Sequence, residues 1–215
     1  MADRPIIFSA PMIRALLDGR KSMTRRIMKP QPGELDRPFC HADGSWHVTD
    51  SCGGHMSPLH VPYAVGDRLW CREGFSYGWP VEGNHQLPEC NQEHAITYRA
   101  EGNQPFGGGR WHSPIHMPRW ASRLTLTVTD VRVERLHSIT EADAVAEGVC
   151  ETAFWERAEH KVSAGAPWSV DRLAFADLWN ILHSPEAWAL NPWVCALTFT
   201  VHRQNIDQME MTNEN

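Results

Sequence analysis

The sequence predicts an α+β fold, mainly β, with about three helices and long loop insertions. Three observations carry this. Leu124, Leu126 and Val128 alternate with threonines, the period-two signature of a half-buried strand. Near the end, Trp193, Cys195, Leu197, Phe199 and Val201 line one face of a second strand, with Val194, Ala196, Thr198 and Thr200 on the other. Between them Val170, Leu173, Ala174, Leu178, Ile181 and Leu182 recur at helical spacing behind Ser169, which is placed to cap. The 215 residues, 42% hydrophobic with ten tryptophans, suffice for a sizeable core and exclude wholesale disorder. One domain over residues 1–204 is expected, with insertions at about 31–62 and 76–118 and a polar tail over 205–215 that frays.

Taken in order, Ile6-Ile7-Phe8 reads as a short strand and Pro11 to Asp18 as a helix. Gly19 sits where a left-handed C-cap would stop that helix. The octet Gly19-Arg20-Lys21-Ser22-Met23-Thr24-Arg25-Arg26 then spans a helix end and the start of a strand. In a turn, Lys21 and Thr24 can converge; on a regular strand they would point apart. A neutral lysine is a general base for a hydroxyl nucleophile. Basicity at neutral pH needs a fall of roughly 3 units, about 4 kcal/mol. Arg20, Arg25 and Arg26 supply like charge of the right sign, and burial would add to it. The plainer reading is a solvated basic turn.

Residues 30–62 are rich in proline and glycine and read as loop. Cys40, His41, His47, Cys52, His55 and His60 lie there, but no C-x2-4-C pair exists, so an insertion with incidental histidines competes with a zinc site. Arg68 to Arg72 reads as a strand after the turn Gly66-Asp67. Leu69, Cys71 and Glu73 share one face, so Glu73 ends an inward-facing row, where poor solvation suits a general acid. An ion pair with Arg25 or Arg26 is the other reading, and the two are compatible. Residues 76–118 are irregular apart from a strand at Ala95 to Arg99. After Val128 the alternation slips by one at Asp130, implying a bulge or bend. Thr140-Glu141-Ala142-Asp143 opens a short helix that Gly148 ends, and residues 149–168 are ambiguous.

Two segments resemble the ASCH domain family: Gly-x-Lys-x-x-Thr-x-Arg at Gly19 to Arg26, and Val65-Gly66-Asp67-Arg68-Leu69-Trp70-Cys71-Arg72-Glu73, with Cys71 where valine is more usual. The resemblance implies a PUA-like small antiparallel β-barrel with a cleft for nucleosides or RNA. A bare barrel of that kind would need only about half this chain, so the rest would be insertions. Small YqfB-type members are amidohydrolases that remove acyl groups from N4-acylated cytidines. Matched residue by residue, the resemblance puts the catalytic roles on Lys21, Thr24 and Glu73; Arg26 is read beside them as binding substrate and stabilising the oxyanion. The longer Trp-rich form is similar to ASCH-like proteins of phages and prophages. No metal or organic cofactor is implied.

Charge narrows the partner. The formal net charge of −6 argues against a bulk nucleic-acid binder. Residues 1–37 nevertheless hold eight Lys or Arg against four Asp or Glu, which suits a small modified nucleoside. An RNA- or nucleotide-binding module without turnover is the alternative. With no export signal or apolar run of bilayer length, the sequence predicts a cytoplasmic protein with no membrane partner and free thiols at its six cysteines.

Overall fold

A computed structural model describes residues 2–33, 36–49, 56–78, 95–105, 109–149 and 152–211. The protein is α+β and mainly β, and the chain divides into two compact units. Unit 1 is Met1–Gly19, Asp67–Thr127 and Thr200–Asn215; unit 2 is Arg20–Gly66 and Val128–Phe199. Among the described residues the strands form sheets of five, three and two.

In unit 1, β6 (Arg68–Arg72) is the strand read after Gly66-Asp67, and it pairs with β1 (Asp3–Ile7) in parallel, where an antiparallel arrangement was expected. A parallel pair needs a crossover, and α1 (Ala10–Leu17) leaves β1 directly. Its buried face is Met12, Ile13, Ala15 and Leu16. β6 pairs antiparallel with the start of β9 (Thr125–Arg135), Leu69 opposite Leu126 and Trp70 opposite Thr125. β7 (Phe75–Gly78) and β8 (Ala95–Tyr98) form a hairpin over a core of Phe75, Met117 and Ala121. Trp79 and the run Gly107 to Gly109, read as parts of a loop, lie wholly or mostly outside the described residues.

The chain after β10 (Trp193–His202) is anchored where fraying was expected. The Asn205 amide donates to the carbonyls of Arg119, Trp120 and Ser122, and Ile206 is buried. A short helix, α5 (Gln208–Met211), follows. The polar composition of the tail hid one apolar residue and one amide able to satisfy three carbonyls.

In unit 2, β10 pairs antiparallel with β2 (Met23–Ile27), Leu197 opposite Thr24 and Cys195 opposite Arg26. The stretch read as loop between 30 and 62 contains a three-stranded sheet, β3 (Arg37–Cys40), β4 (Trp46–Thr49) and β5 (Met56–Pro58). Proline and glycine punctuate its short strands, so the turn signals were real and the strands between them were too short to read.

α2 (Glu141–Ala146) carries the predicted capping box: Thr140 Oγ1 accepts from the Asp143 N–H, and the Asp143 carboxylate from the Thr140 N–H. The ambiguous stretch contains α3 (Thr152–Ser163), which packs on α4 (Val170–Leu182) with Phe154 and Ala158 buried. Arg157 and Lys161 of α3 both pair with Asp177, which sits at the edge of the apolar stripe as its spacing predicted. The predicted stripe is buried at Leu173, Ala174 and Leu178 and departs from the reading at its C-terminal end. Phe175 and Trp179 are buried, whereas Ile181 and Leu182 are exposed. Aromatic bulk decided which face turned in. Ser169 is the N-cap residue by position, but its hydroxyl makes no capping bond.

Candidate functional site

The basic octet is not a solvated turn. Gly19 has φ +73, the left-handed conformation its position predicted, and β2 begins at Met23. Between them the chain wraps the C-terminal end of α2. Arg20 Nη1 donates to the Gly148 carbonyl (3.3 Å), Lys21 Nζ to the Glu147 carbonyl (2.9 Å) and the Ser22 N–H to the Ala146 carbonyl (2.9 Å). A helix end leaves its last carbonyls without intrahelical partners, and cations there oppose its negative pole. The octet supplies both.

Lys21 is 2% exposed, and its Nζ also donates to Glu147 Oε2 at 2.8 Å. Burial pulls the ammonium below its ordinary pKa; Glu147 opposes that fall, and Arg26 and Arg25 add to it. The sequence names the arginines with burial adding to them; burial is in fact the larger cause, and Glu147 was unforeseen.

Arg25 is fully enclosed and shares Glu147 with Lys21. Its Nη1 donates to Glu147 Oε1 (3.2 Å), and its Nη2 to Glu134 Oε1 and Asp143 Oδ2 (2.8 Å each). Arg132 closes the group by pairing with the second oxygens of Asp143 and Glu134. Arg132 also reaches Asp130 (3.7 Å), so three basic residues meet three carboxylates inside the group and a fourth at its exposed edge. Burial raises the Asp143 carboxyl, but Arg132, Arg25 and the Thr140 N–H together hold it below the ordinary range.

Thr24 is buried on β2, so period two sets it across the strand from Arg25. Lys21 Nζ is directed at Glu147. Arg26 follows on the same strand face as Thr24. Together with Lys29, Arg26 depresses His183, for which burial is the larger cause.

Glu73 belongs to unit 1 and has surroundings of its own. It follows β6 directly and is 1% exposed, as the inward-facing row predicted. Its ion-pair partner is Arg123, where the sequence reading had named Arg25 or Arg26. Arg123 Nε donates to Oε1 (2.8 Å) and Nη2 to Oε2 (3.1 Å), a two-pronged grip. Arg123 lies 3.9 Å over the Tyr98 ring, and its Nη1 also donates to Glu101. Burial raises the Glu73 carboxyl above its ordinary range; Arg123 opposes this, and Glu101 adds to it.

Glu147 and Arg123 are the residues sequence reasoning missed. Glu147 had a signal: an acid one residue before the helix-ending Gly148 sits at the negative end of α2, which asks for a cation. Arg123 had one only in the fold. Continuing the β6–β9 register past the strand end brings Glu73 opposite Ser122, next to Arg123.

In the Cys/His-rich stretch, His41 and His47 pack edge-on at 4.7 Å and both contact Phe39. Cys52 and His55 lie outside the described residues, and among the described residues no three His, Cys, Asp or Glu side chains are grouped to hold a metal. No helix among the described residues is long and apolar enough to cross a membrane.

Comparison of the chain with protein-family models, curated proteins and solved structures returns no match. The ASCH reading therefore stands on the octet and the Val65–Glu73 segment that carry it.

Proposed function

We propose that this protein is an amidohydrolase that removes acyl groups from N4-acylated cytosine nucleosides, on a PUA-like barrel. The observation that carries the reading is the state of two buried ionisable groups at the motif positions. Lys21 is displaced toward its neutral form and Glu73 toward its protonated form. Those are the forms a general base and a general acid require. In this reading, neutral Lys21 takes the Thr24 hydroxyl proton as the oxygen attacks the acyl carbonyl. Arg26 or backbone N–H groups stabilise the oxyanion. Glu73 gives its proton to N4 as the C–N bond breaks, and water then cleaves the acyl-threonine ester. In a variant of the mechanism Lys21 and Glu73 activate water directly and Thr24 only orients it. The substrate is a small nucleoside, and the protein works in the cytoplasm.

A second reading is favoured by one observation: Lys21 is committed to Glu147 and to the end of α2, which is what architecture without turnover needs. The protein is then an RNA- or modified-nucleotide-binding module, with Arg26 toward phosphate.

Release of cytidine from N4-acetylcytidine decides between them. Purified wild type is run beside Lys21→Ala, Thr24→Val and Glu73→Ala, with circular dichroism confirming that each is folded. Turnover lost in Lys21→Ala and Glu73→Ala supports the hydrolase. Thr24→Val separates the mechanisms, since it abolishes a threonine-nucleophile reaction and spares part of a water reaction. A folded wild type with no turnover on acetyl or bulkier acylcytidines, yet binding nucleotide, supports the second reading.

A further inference from the structure

The surroundings of Glu73 carry an inference beyond its role as acid. One guanidinium, Arg123, serves two carboxylates, Glu73 and Glu101. Two negative charges against one positive leave a net negative charge, and a proton bound by either acid relieves it. The two acids differ in solvation: the Glu73 side chain is 2% exposed and that of Glu101 40%. Water reaches the Glu101 side chain and is kept from Glu73, so burial displaces Glu73 toward its protonated form.

We propose that Arg123 and Glu101 are positioning residues that act on Glu73 in opposite senses and together set the pH at which it holds its proton. Arg123 favours the anion through its two hydrogen bonds. Glu101 opposes it twice, by its own charge and by drawing on the same guanidinium. The arrangement is rigid where it must be. The Tyr98 ring supports the guanidinium from below, and its hydroxyl donates to the Ala121 carbonyl (3.0 Å). Tyr98 stays neutral, its hydroxyl pushed up to about 12 mainly by burial. The Glu73 N–H is directed at Met117 Sδ, which brings no charge. Of the flanking cations, Arg72 is held over Trp70 and donates to the Ile115 carbonyl, and the Arg99 N–H donates to the Gly74 carbonyl. Arg123 and Glu101 are the charged groups whose fields act on Glu73. The use of this control in turnover rests on the hydrolase reading; the control itself does not.

The test reads Glu73 directly. Full-length protein carrying glutamate labelled with carbon-13 at the side-chain carboxyl is titrated by NMR, with Glu73→Gln identifying the resonance. Expected is a wild-type midpoint above the ordinary ~4.3 of glutamate. Glu101→Gln lowers it by roughly half a unit, the size of one partly exposed neighbouring charge, and Arg123→Gln raises it. If Arg123→Gln does not fold, Arg123→Lys is read instead; it keeps the charge, loses the fork and gives a smaller rise. A purely structural role for either residue gives no such pair of opposite shifts. No movement, or a rise, in Glu101→Gln overturns the proposal on its own. Where the protein turns over acylcytidine, the glutamate limb of the kcat/KM pH profile moves with the NMR midpoint. Where it does not, the midpoints still decide the proposal and only the hydrolase reading fails.

Discussion

The Lys21 cluster in unit 2 and the Glu73 cluster in unit 1 both bury ionised side chains, but they balance them differently. Around Lys21, the basic residues Lys21, Arg25 and Arg132 pair with Glu147, Glu134 and Asp143, Arg132 also reaches the exposed Asp130, and the Glu147 carbonyl accepts from Lys21. Around Glu73, one cation meets two carboxylates. In the first cluster each of the carboxylates Glu147, Glu134 and Asp143 has two basic partners; in the second, Glu73 and Glu101 share one. The first kind of cluster fixes where strands and helices go, and the second leaves the Glu73 carboxyl raised above its ordinary range.

The largest expected effect tests the first half of that contrast. Glu147→Ala removes the paired carboxylate of Lys21 and one of the three carboxylates of Arg25, leaving buried positive charge under-compensated. Urea unfolding is expected to show a loss of about 3–5 kcal/mol. The comparable removal in unit 1, Glu101→Gln, takes away a partly exposed acid and is expected to change stability by about 0–1 kcal/mol. Equal losses at the two sites would break the contrast.

Stability against pH sharpens it, because the two clusters carry opposite signs. The Asp143 carboxyl is depressed in the folded protein. Its contribution is present above its unfolded value, near ~3.9, and is lost as pH falls through the folded value. The Glu73 carboxyl is raised. Its contribution is full below its unfolded value, near ~4.3, and is lost as pH rises through the folded value. Urea midpoints measured across the acid range should therefore lose a falling component in Glu73→Gln and a rising one in Asp143→Asn. A Glu73→Gln profile parallel to wild type would mean that Arg123 fully offsets the burial of Glu73 and that its carboxyl is not displaced.

The sequence made some of this legible and hid the rest for identifiable reasons. Gly19, the capping box at Thr140 and Asp143, and strand β6 are local features, set by residues within a few positions of one another. They were read correctly. Burial of Glu73 followed from the period-two row through Leu69 and Cys71. Partner identity was not local: Lys21 and Glu147 are 126 residues apart, and Glu73 and Arg123 50. Charge alone made Arg25 and Arg26 as reasonable for Glu73 as Arg123. The exposed ends of α4 were missed because a helical stripe can be drawn through Ile181 and Leu182 or through Phe175 and Trp179, and only packing chooses. The sheet over residues 37–58 was missed because three- and four-residue strands carry too few alternations to count.

A smaller effect tests the turn that leads into the octet. Gly19 has φ +73, and a Cβ there would meet nothing within 4 Å. Gly19→Ala therefore carries a backbone cost alone, about 1–2 kcal/mol. It is read as a fall in Tm with the Lys21 cluster otherwise intact. A loss as large as that of Glu147→Ala would show that the turn and the buried charges form one unit.

The smallest expected effect asks how independent the members of the balanced cluster are. Thr140 Oγ1 accepts from the Asp143 N–H at 3.1 Å, and Asp143 Oδ2 accepts from the Thr140 N–H at 3.3 Å. Losing an N-cap hydroxyl commonly costs about 1 kcal/mol. Here Asp143 is also held by Arg25 at 2.8 Å and by Arg132 at 3.0 Å, so its carboxylate stays in place when the hydroxyl goes. Thr140→Ala should then cost about 1 kcal/mol, and its effect should add to that of Glu147→Ala in the double variant. Additivity would mean that α2 is capped at its two ends by separate devices. A double variant less damaged than the sum would mean that Arg25, which touches both Asp143 and Glu147, couples them through one guanidinium, and that this balance is held by the arginine rather than by each pair.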